Sequence, residues 1–203
     1  MANNPGLKSL RLGLWIAIGV LAVGTGLAAL LLPRVSAEPV EAYGAGDYTL
    51  VDHDGLSVTQ ATFASGKPSL VFFGFTHCPE VCPTTLYEMA TWLEALGPEG
   101  NDLNAFFVTV DPERDTPEML KAYVTAPTDR VTGVTGEKAE IDKIVSAWHV
   151  HAERVALENG DYTMDHTASV FLVGPQGEFQ GTIAYREASD TALGKIRNLL
   201  AKS

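Results

Sequence analysis

The chain has 203 residues, 46% of them hydrophobic and 19% charged, which excludes an intrinsically disordered protein and allows one domain or at most two. Its formal net charge of −11 excludes a general nucleic-acid binder, because contact with phosphates requires a basic surface. Two cysteines, Cys78 and Cys82, are too few for a disulfide-stapled scaffold. Only three residues separate them, and this closeness is the most informative feature of the sequence.

The first predicted element is a membrane-spanning helix over residues 12–32, an uncharged run of 21 residues. A helix of this length rises about 31 Å, enough to cross the roughly 30 Å hydrocarbon core of a bilayer. Lys8 and Arg11 precede it, and this basic flank predicts a cytoplasmic N-terminus over 1–11 and an exported remainder. A signal peptide cleaved after Ala37 is the alternative, although its apolar core would span only about 7–15 residues.

The exported part of the chain, residues 38–203, is strongly acidic. Residues 1–37 hold three of the 14 basic residues and no acidic ones, which leaves 11 basic against 25 acidic residues and a formal charge of −14. Residues 33–47 are predicted to form a linker, and 48–203 a single domain. The acidic charge keeps such a domain soluble and would also steer a basic partner toward it.

The predicted domain alternates strands and helices. Apolar runs at 69–75 and 105–110 predict strands buried on both faces, and a helix predicted at 83–96 joins them into a βαβ unit. The other predicted elements are a short strand at 48–51, helices at 117–125, 137–148 and 190–200, and a hairpin of strands 168–173 and 178–185. The fold class is therefore α/β, a central mixed sheet with helices on both faces.

Both cysteines are predicted to lie where this fold places its chemistry. Ligand sites in such sheets lie beyond the carboxyl ends of parallel strands, and the loop 76–82 leaves the end of the first one. The sulfurs come at or just before a helix N-terminus, whose partial positive charge favours thiolate. The Cys-x3-Cys spacing is one residue longer than the usual redox pair. It therefore favours the separation of two thiolates on one metal, near 4 Å, without forbidding a disulfide.

The chemistry of thiolates narrows the choice of metal and of the third ligand. A purely structural disulfide is disfavoured, because closing so short a loop stabilises little. Soft thiolates suit Cu(I) best and zinc next, and the chain has no further cysteine for a complete zinc site. A third ligand must then be a histidine. His166 is the best placed, because in a thioredoxin-like sheet the loop entering the last hairpin faces the cysteine loop.

The other four histidines are weaker candidates. His77 is expected to point away from its neighbour Cys78. His149 and His151 alternate, which predicts a shared, solvated face of a strand. His53 is predicted to lie in a turn.

A second loop, 111–115, leaves the carboxyl end of the next predicted strand. Asp115 and Thr116 are predicted to cap the following helix, and Arg114 to pair with a neighbouring carboxylate. The alternative is that this loop supports the metal-binding loop or contacts a partner.

Three motifs resemble those of the Sco/SenC family, membrane-anchored copper proteins with a thioredoxin fold that act in cytochrome c oxidase assembly. Residues 72–83 (FFGFTHCPEVCP) resemble the family signature, residues 111–116 (DPERDT) a second motif, and residues 162–173 a third. The resemblance spans roughly residues 45–185. It implies a thioredoxin-like domain that binds copper through Cys78, Cys82 and His166.

The resemblance also implies the partners and the location. These are cytochrome c oxidase subunit II with its binuclear copper centre, an upstream copper donor, and a membrane that holds the domain on the exported side, such as a bacterial periplasm. Either copper delivery or reduction of thiols on the partner could be the main role, so enzymatic activity is left open. A metal-free thiol–disulfide oxidoreductase, with Cys78 as the attacking thiol, is the alternative, and a peroxiredoxin-like peroxidase is a weaker third.

Overall fold

The structure is a computed structural model that describes residues 14, 15, 18, 19, 21, 43–158 and 160–202. The predicted N-terminal segment 1–11 and most of the predicted membrane helix 12–32 and linker 33–47 lie outside the described residues. Among those that are described, no helix is both long enough and apolar enough to span a bilayer. At residue 43 the chain already contacts the folded domain, since the Tyr43 ring stacks on Phe179 with 4.6 Å between ring centroids.

Strands and helices alternate along residues 43–202, residue 159 excepted. In chain order they are β1 (Leu50–Asp52), β2 (Ser57–Val58), α1 (Gln60–Phe63), β3 (Ser69–Gly74), α2 (Val81–Leu96), a 3-10 helix (Gly97–Asp102), β4 (Asn104–Thr109), α3 (Pro117–Thr125), β5 (Thr132–Thr135), α4 (Lys138–Ala147), β6 (Ala152–Ala156), β7 (Tyr162–His166), β8 (Val170–Val173), β9 (Phe179–Ile183) and α5 (Ser189–Leu200).

Seven strands form one mixed sheet in the order β2-β1-β5-β4-β3-β8-β9. Strands β3, β4 and β5 run parallel to one another, whereas β1 and β8 are antiparallel to both of their neighbours. The predicted mixed sheet, with its parallel centre and C-terminal hairpin, is therefore confirmed. Among the described residues, strands β6 and β7 pair only with each other, in a separate two-stranded sheet.

Side chains of the two central strands pack against helical elements on both faces of the sheet. Phe72 of β3 lies opposite Phe107 of β4, and the Phe107 ring contacts Tyr123 of α3 on one face. On the other face the Phe73 ring lies 5.6 Å from the ring of Trp148, which follows α4. Burial on both faces explains why these strands are apolar without alternation.

Helix α2 begins two residues earlier than predicted, at Val81 rather than Pro83. Pro83 is therefore the third residue of the helix, which is tolerated because the first N–H groups of a helix have no intrahelical acceptor. As a result Cys82 lies inside the first turn of the helix, and Cys78 remains in the loop before it. Gly97 ends the helix with φ of +52°, as predicted.

Strand β5 and the hairpin formed by β6 and β7 were not predicted, and the prediction for His149 and His151 is wrong. Both histidines lie between α4 and β6 instead of on a strand, and His149 has a left-handed backbone with φ of +50°. By contrast, Thr116 caps α3 as predicted, since its hydroxyl accepts a hydrogen bond from the Met119 amide at 3.3 Å.

Candidate metal centre

The fold brings Cys78, Cys82 and His166 together at the carboxyl ends of the parallel strands. One donor atom from each residue lies within 4.8 Å of the other two, and this is the one such group of three or more among the described histidines, cysteines and acids. The Cys82 sulfur lies 3.4 Å from Nε2 of His166. Both cysteines are free thiols. The geometry thus collects the three predicted ligands and leaves the other histidines outside the group.

The first turn of α2 orients the two sulfurs. Cys82 has no exposed surface, whereas Cys78 is partly exposed in the loop. The Cys82 amide donates a hydrogen bond to the Cys78 sulfur at 3.3 Å. This amide is one of the N–H groups that a helix leaves unpaired at its start, so the Cys78 sulfur takes the place of a capping oxygen.

The two thiols have opposite acidities because they share a hydrogen bond. The Cys82 thiol and the backbone amides of Cys82 and Glu80 donate to the Cys78 sulfur and lower the pKa of Cys78 to about 4, although burial alone would raise it. The same hydrogen bond, together with burial, raises the pKa of Cys82. Cys78 is therefore the thiolate of the pair, which makes it the nucleophile in any thiol exchange.

Gly74 provides the space that the Cys82 sulfur occupies. A Cβ atom at this position would lie 2.9 Å from the Cys82 sulfur and 3.0 Å from the Phe107 ring, closer than real Cβ contacts allow. The last residue of β3 must therefore lack a side chain for the sulfur to reach the sheet. The sequence motif contained this glycine, but its spacing did not indicate this role.

His166 is the last residue of β7, and its ring is held by one hydrogen bond and two aromatic neighbours. Nδ1 lies 3.0 Å from the Thr167 carbonyl, which only accepts, so Nδ1 carries the proton and Nε2 presents a lone pair to the sulfurs. The rings of Phe72 and Phe75 lie edge-on at 6.1 and 5.7 Å. Fixing one imidazole nitrogen in order to aim the other is typical of metal-binding histidines.

The loop 111–115 supports the cysteine loop, so the alternative role considered for it is correct and the capping role predicted for Asp115 is wrong. Asp115 has no exposed surface, and its carboxylate accepts hydrogen bonds from the amide and hydroxyl of Thr76 at 3.0 and 2.6 Å and from the Thr109 hydroxyl at 2.6 Å. Thr76 begins the loop that carries Cys78. Arg114 does pair with a carboxylate, that of Asp111, as predicted.

The remaining histidines have structural or exposed positions. Nδ1 of His53 accepts a hydrogen bond from the Gly133 amide at 2.9 Å, and His77 is exposed beside Thr76. His151 is exposed and lies 3.6 Å from the Asp165 carboxylate.

The donor set fits a soft metal ion better than a hard one. Two cysteine sulfurs and one imidazole nitrogen suit copper, whereas a hard ion such as Mg²⁺ prefers oxygen ligands. The space beside Gly74 and the fixed Nδ1 of His166 hold donor atoms of both kinds in positions that suit such an ion. A partly exposed thiolate next to a buried thiol can also exchange with a disulfide.

A mixed α/β sheet with a cysteine pair at the helix start and a histidine facing it places the protein among thioredoxin-like domains with metal or thiol chemistry. A model of the SCO1/SenC family matches residues 36–201. The chain belongs to the SCO1/SenC family, which confirms the resemblance found in the sequence.

Individual relatives agree with this assignment. The human mitochondrial SCO1 homolog is 36% identical over 137 residues, which covers 66% of this chain and 45% of the relative. Among solved structures, copper-bound ScoI of Bradyrhizobium japonicum is 39% identical with a TM-score of 0.71 and covers 78% of this chain and 99% of its own. Copper-bound yeast Sco1 is 28% identical with a TM-score of 0.71, and the match covers 80% of this chain and 90% of the yeast chain. The thioredoxin-like fold is thereby confirmed.

The chain spans about half the length of the curated relatives it matches. The prediction of copper agrees with two independent findings, namely the copper present in the solved relatives and the Cys-Cys-His group of this chain.

Proposed function

We propose that this protein is a copper chaperone that binds copper through Cys78, Cys82 and His166 and delivers it to the binuclear copper centre of cytochrome c oxidase subunit II. The observation that carries the proposal is the convergence of the three donor atoms within 4.8 Å. The copper bound in related structures and the family resemblance of the motifs support it. An upstream copper donor is required by the same role.

The two oxidation states of copper distinguish the roles of the ligands. Thiolates bind Cu(I) well, and imidazole is a good ligand for Cu(II), so His166 contributes most to the Cu(II) complex. We expect His166→Ala to weaken Cu(II) binding more than Cu(I) binding, as measured by competition with chelators of known affinity. His151→Ala, which alters an exposed histidine outside the group, serves as the matched control. An equal loss of both affinities, or no loss, would count against His166 as a ligand.

Delivery is tested by anaerobic incubation of the copper-loaded domain with metal-free subunit II, following copper and thiols on both proteins. Movement of copper with unchanged thiols on the partner supports delivery. Loss of two thiols from this protein, matched by a gain of two thiols on the partner and with no copper on the partner, supports reduction of a partner disulfide instead. No exchange of either kind would contradict the proposed partner.

A thiol–disulfide oxidoreductase is the second candidate, favoured by one observation. Cys78 is partly exposed and has a lowered pKa, while Cys82 lies behind it as a resolving thiol. The reduced protein is loaded anaerobically with Cu(I) and its metal content measured. Absence of stoichiometric copper overturns the chaperone proposal and leaves the oxidoreductase.

The chaperone role includes attachment to a membrane by residues 12–32, with residues 1–11 in the cytoplasm and the domain exported. The uncharged length of that segment and its basic flank support this part of the proposal. Extraction of membranes at high pH tests attachment, and the mass of the extracted protein shows whether the chain is cleaved after Ala37. Release at high pH would contradict an uncleaved membrane helix.

A further inference from the structure

Arg114 is a mostly buried cation next to the metal centre that the proposed function does not use. Its side chain is only 17% exposed, and its Nε pairs with the Asp111 carboxylate. Its Nη1 donates a hydrogen bond to the Tyr162 carbonyl at 3.1 Å. The guanidinium carbon lies 3.8 Å from the centroid of the Tyr162 ring and 5.9 Å from that of Phe75. Arg114 therefore lies between β7 and the start of the cysteine loop.

Tyr162 links Arg114 to His166 through the strand. Tyr162 and His166 are the first and last residues of β7, and residues at even spacing in a strand face the same side. The Tyr162 hydroxyl donates a hydrogen bond to the Asp111 carboxylate at 2.9 Å, so the ring is held at its edge as well as on its face. The contact with Arg114 thus secures the end of β7 opposite to His166.

Phe75 links Arg114 to His166 a second time. The Phe75 ring stands nearly perpendicular to the imidazole, at 89°, with 5.7 Å between the centroids. Two of the supports of His166, its strand and the Phe75 ring, consequently contact the same guanidinium. Because β6 and β7 pair with no other strand in the part of the chain that the structure describes, such side-chain contacts help to place His166 relative to the cysteines.

We propose that Arg114 is a positioning residue for His166, which acts through Tyr162 and Phe75 and sets the distance between the imidazole and the two sulfurs. Asp115, at the other end of the same loop, holds the cysteine side through Thr76. The loop 111–115 therefore contacts both the cysteine side and the histidine side of the site. The inference rests on the proposed function, in which His166 is a copper ligand.

The test compares Arg114→Met with Arg197→Met. Arg197 of α5 also pairs with a carboxylate, that of Glu99, but its side chain is 52% exposed and lies outside the loop 111–115 and the β6–β7 hairpin. Three quantities are measured for each variant: the affinity for Cu(II), the affinity for Cu(I), and the imidazole ¹⁵N resonances of His166 in the reduced, metal-free protein.

We expect Arg114→Met to weaken Cu(II) binding by about 10–100-fold, the usual effect of losing an outer-shell partner of a ligand. Cu(I) binding should remain within about two-fold, and the His166 resonances should shift or broaden without any metal present. Arg197→Met should leave all three measurements near those of the unmodified protein. Tyr162→Leu removes the stacked ring but keeps the pair of Arg114 with Asp111, and it should reproduce the selective loss if Arg114→Met does not fold.

His166→Ala separates failure of the inference from failure of the proposed function. If His166→Ala weakens Cu(II) binding while Arg114→Met and Tyr162→Leu change neither the Cu(II) affinity nor the resonances, the positioning role is overturned and the ligand role stands. Equal losses of Cu(I) and Cu(II) affinity in Arg114→Met also overturn it. If His166→Ala has no effect, the proposed ligand role and the inference both fall.

Discussion

The cysteine side and the histidine side of the site are held in different ways. Cys82 is completely buried between α2 and the main sheet, in a space that Gly74 leaves open. His166 ends a strand of a separate two-stranded sheet, whose outer strand β6 is largely exposed. Core packing therefore fixes Cys82, whose amide holds the Cys78 sulfur, and a few side-chain contacts fix the imidazole. A site built this way holds two ligands firmly and adds the third through docking of a hairpin.

The largest expected effect is the loss of a buried thiol. Cys82→Ala should lower the affinity for both Cu(I) and Cu(II). The loss should exceed the about 10–100-fold that follows from removing a residue that only supports a metal ligand. Cys78→Ala is the matched variant on the exposed thiol and should do the same. Competition with chelators measures both affinities. If Cys82→Ala kept its Cu(I) affinity, the buried thiol would not be the firmly held copper ligand that distinguishes the cysteine side from the histidine side.

An intermediate effect is expected from filling the space beside Cys82. Gly74→Ala places a methyl group against the sulfur and the Phe107 ring, and overpacking of this kind costs about 1–3 kcal/mol of unfolding free energy. Gly194→Ala in α5, where a Cβ would meet nothing within 4 Å, should instead stabilise the protein by up to about 1 kcal/mol. Urea unfolding of the metal-free proteins measures both. Equal stability of the two variants would show that the cysteine side tolerates displacement.

The smallest expected effect concerns the alkylation rate of Cys78, which should hardly change with pH. Because the pKa of Cys78 is lowered to about 4, this thiol is already ionised at higher pH, and its rate of alkylation should stay flat from about pH 5 to pH 8. A free thiol with a pKa near 8.5 gains about tenfold per pH unit over that range. Site-specific labelling followed by mass spectrometry gives the rates. Cys82→Ala removes the main hydrogen-bond donor to Cys78, so a steeper dependence should return.

Long, strongly patterned segments could be predicted from the sequence, and short polar ones could not. The apolar runs of β3 and β4 can only be buried strands, which placed the cysteine loop at the correct edge of the sheet. The β6–β7 hairpin carries exposed residues such as Glu153 and Arg154 and lacks apolar alternation. Its pairing therefore depends on tertiary contacts, including those of Tyr162.

The candidate site, like the fold, could be predicted from the sequence only in part. Spacing and ligand chemistry predicted the pair Cys78 and Cys82, and the position of its loop together with the family resemblance predicted His166. The role of Asp115 could not be read from spacing, since an aspartate before a helix is usually a cap. Only the fold shows that its carboxylate turns back to Thr76 and Thr109.

The hydrogen bond from His166 to the Thr167 carbonyl bears on how many protons the protein releases when it binds a metal ion. With its proton on Nδ1, the neutral form of the ring presents the Nε2 lone pair to a metal ion. Cys78 is already ionised at neutral pH, so the proton of Cys82 is the one that leaves when a metal ion enters. Loading should then release about one proton per ion, and the acidification of a weakly buffered solution reads this stoichiometry directly.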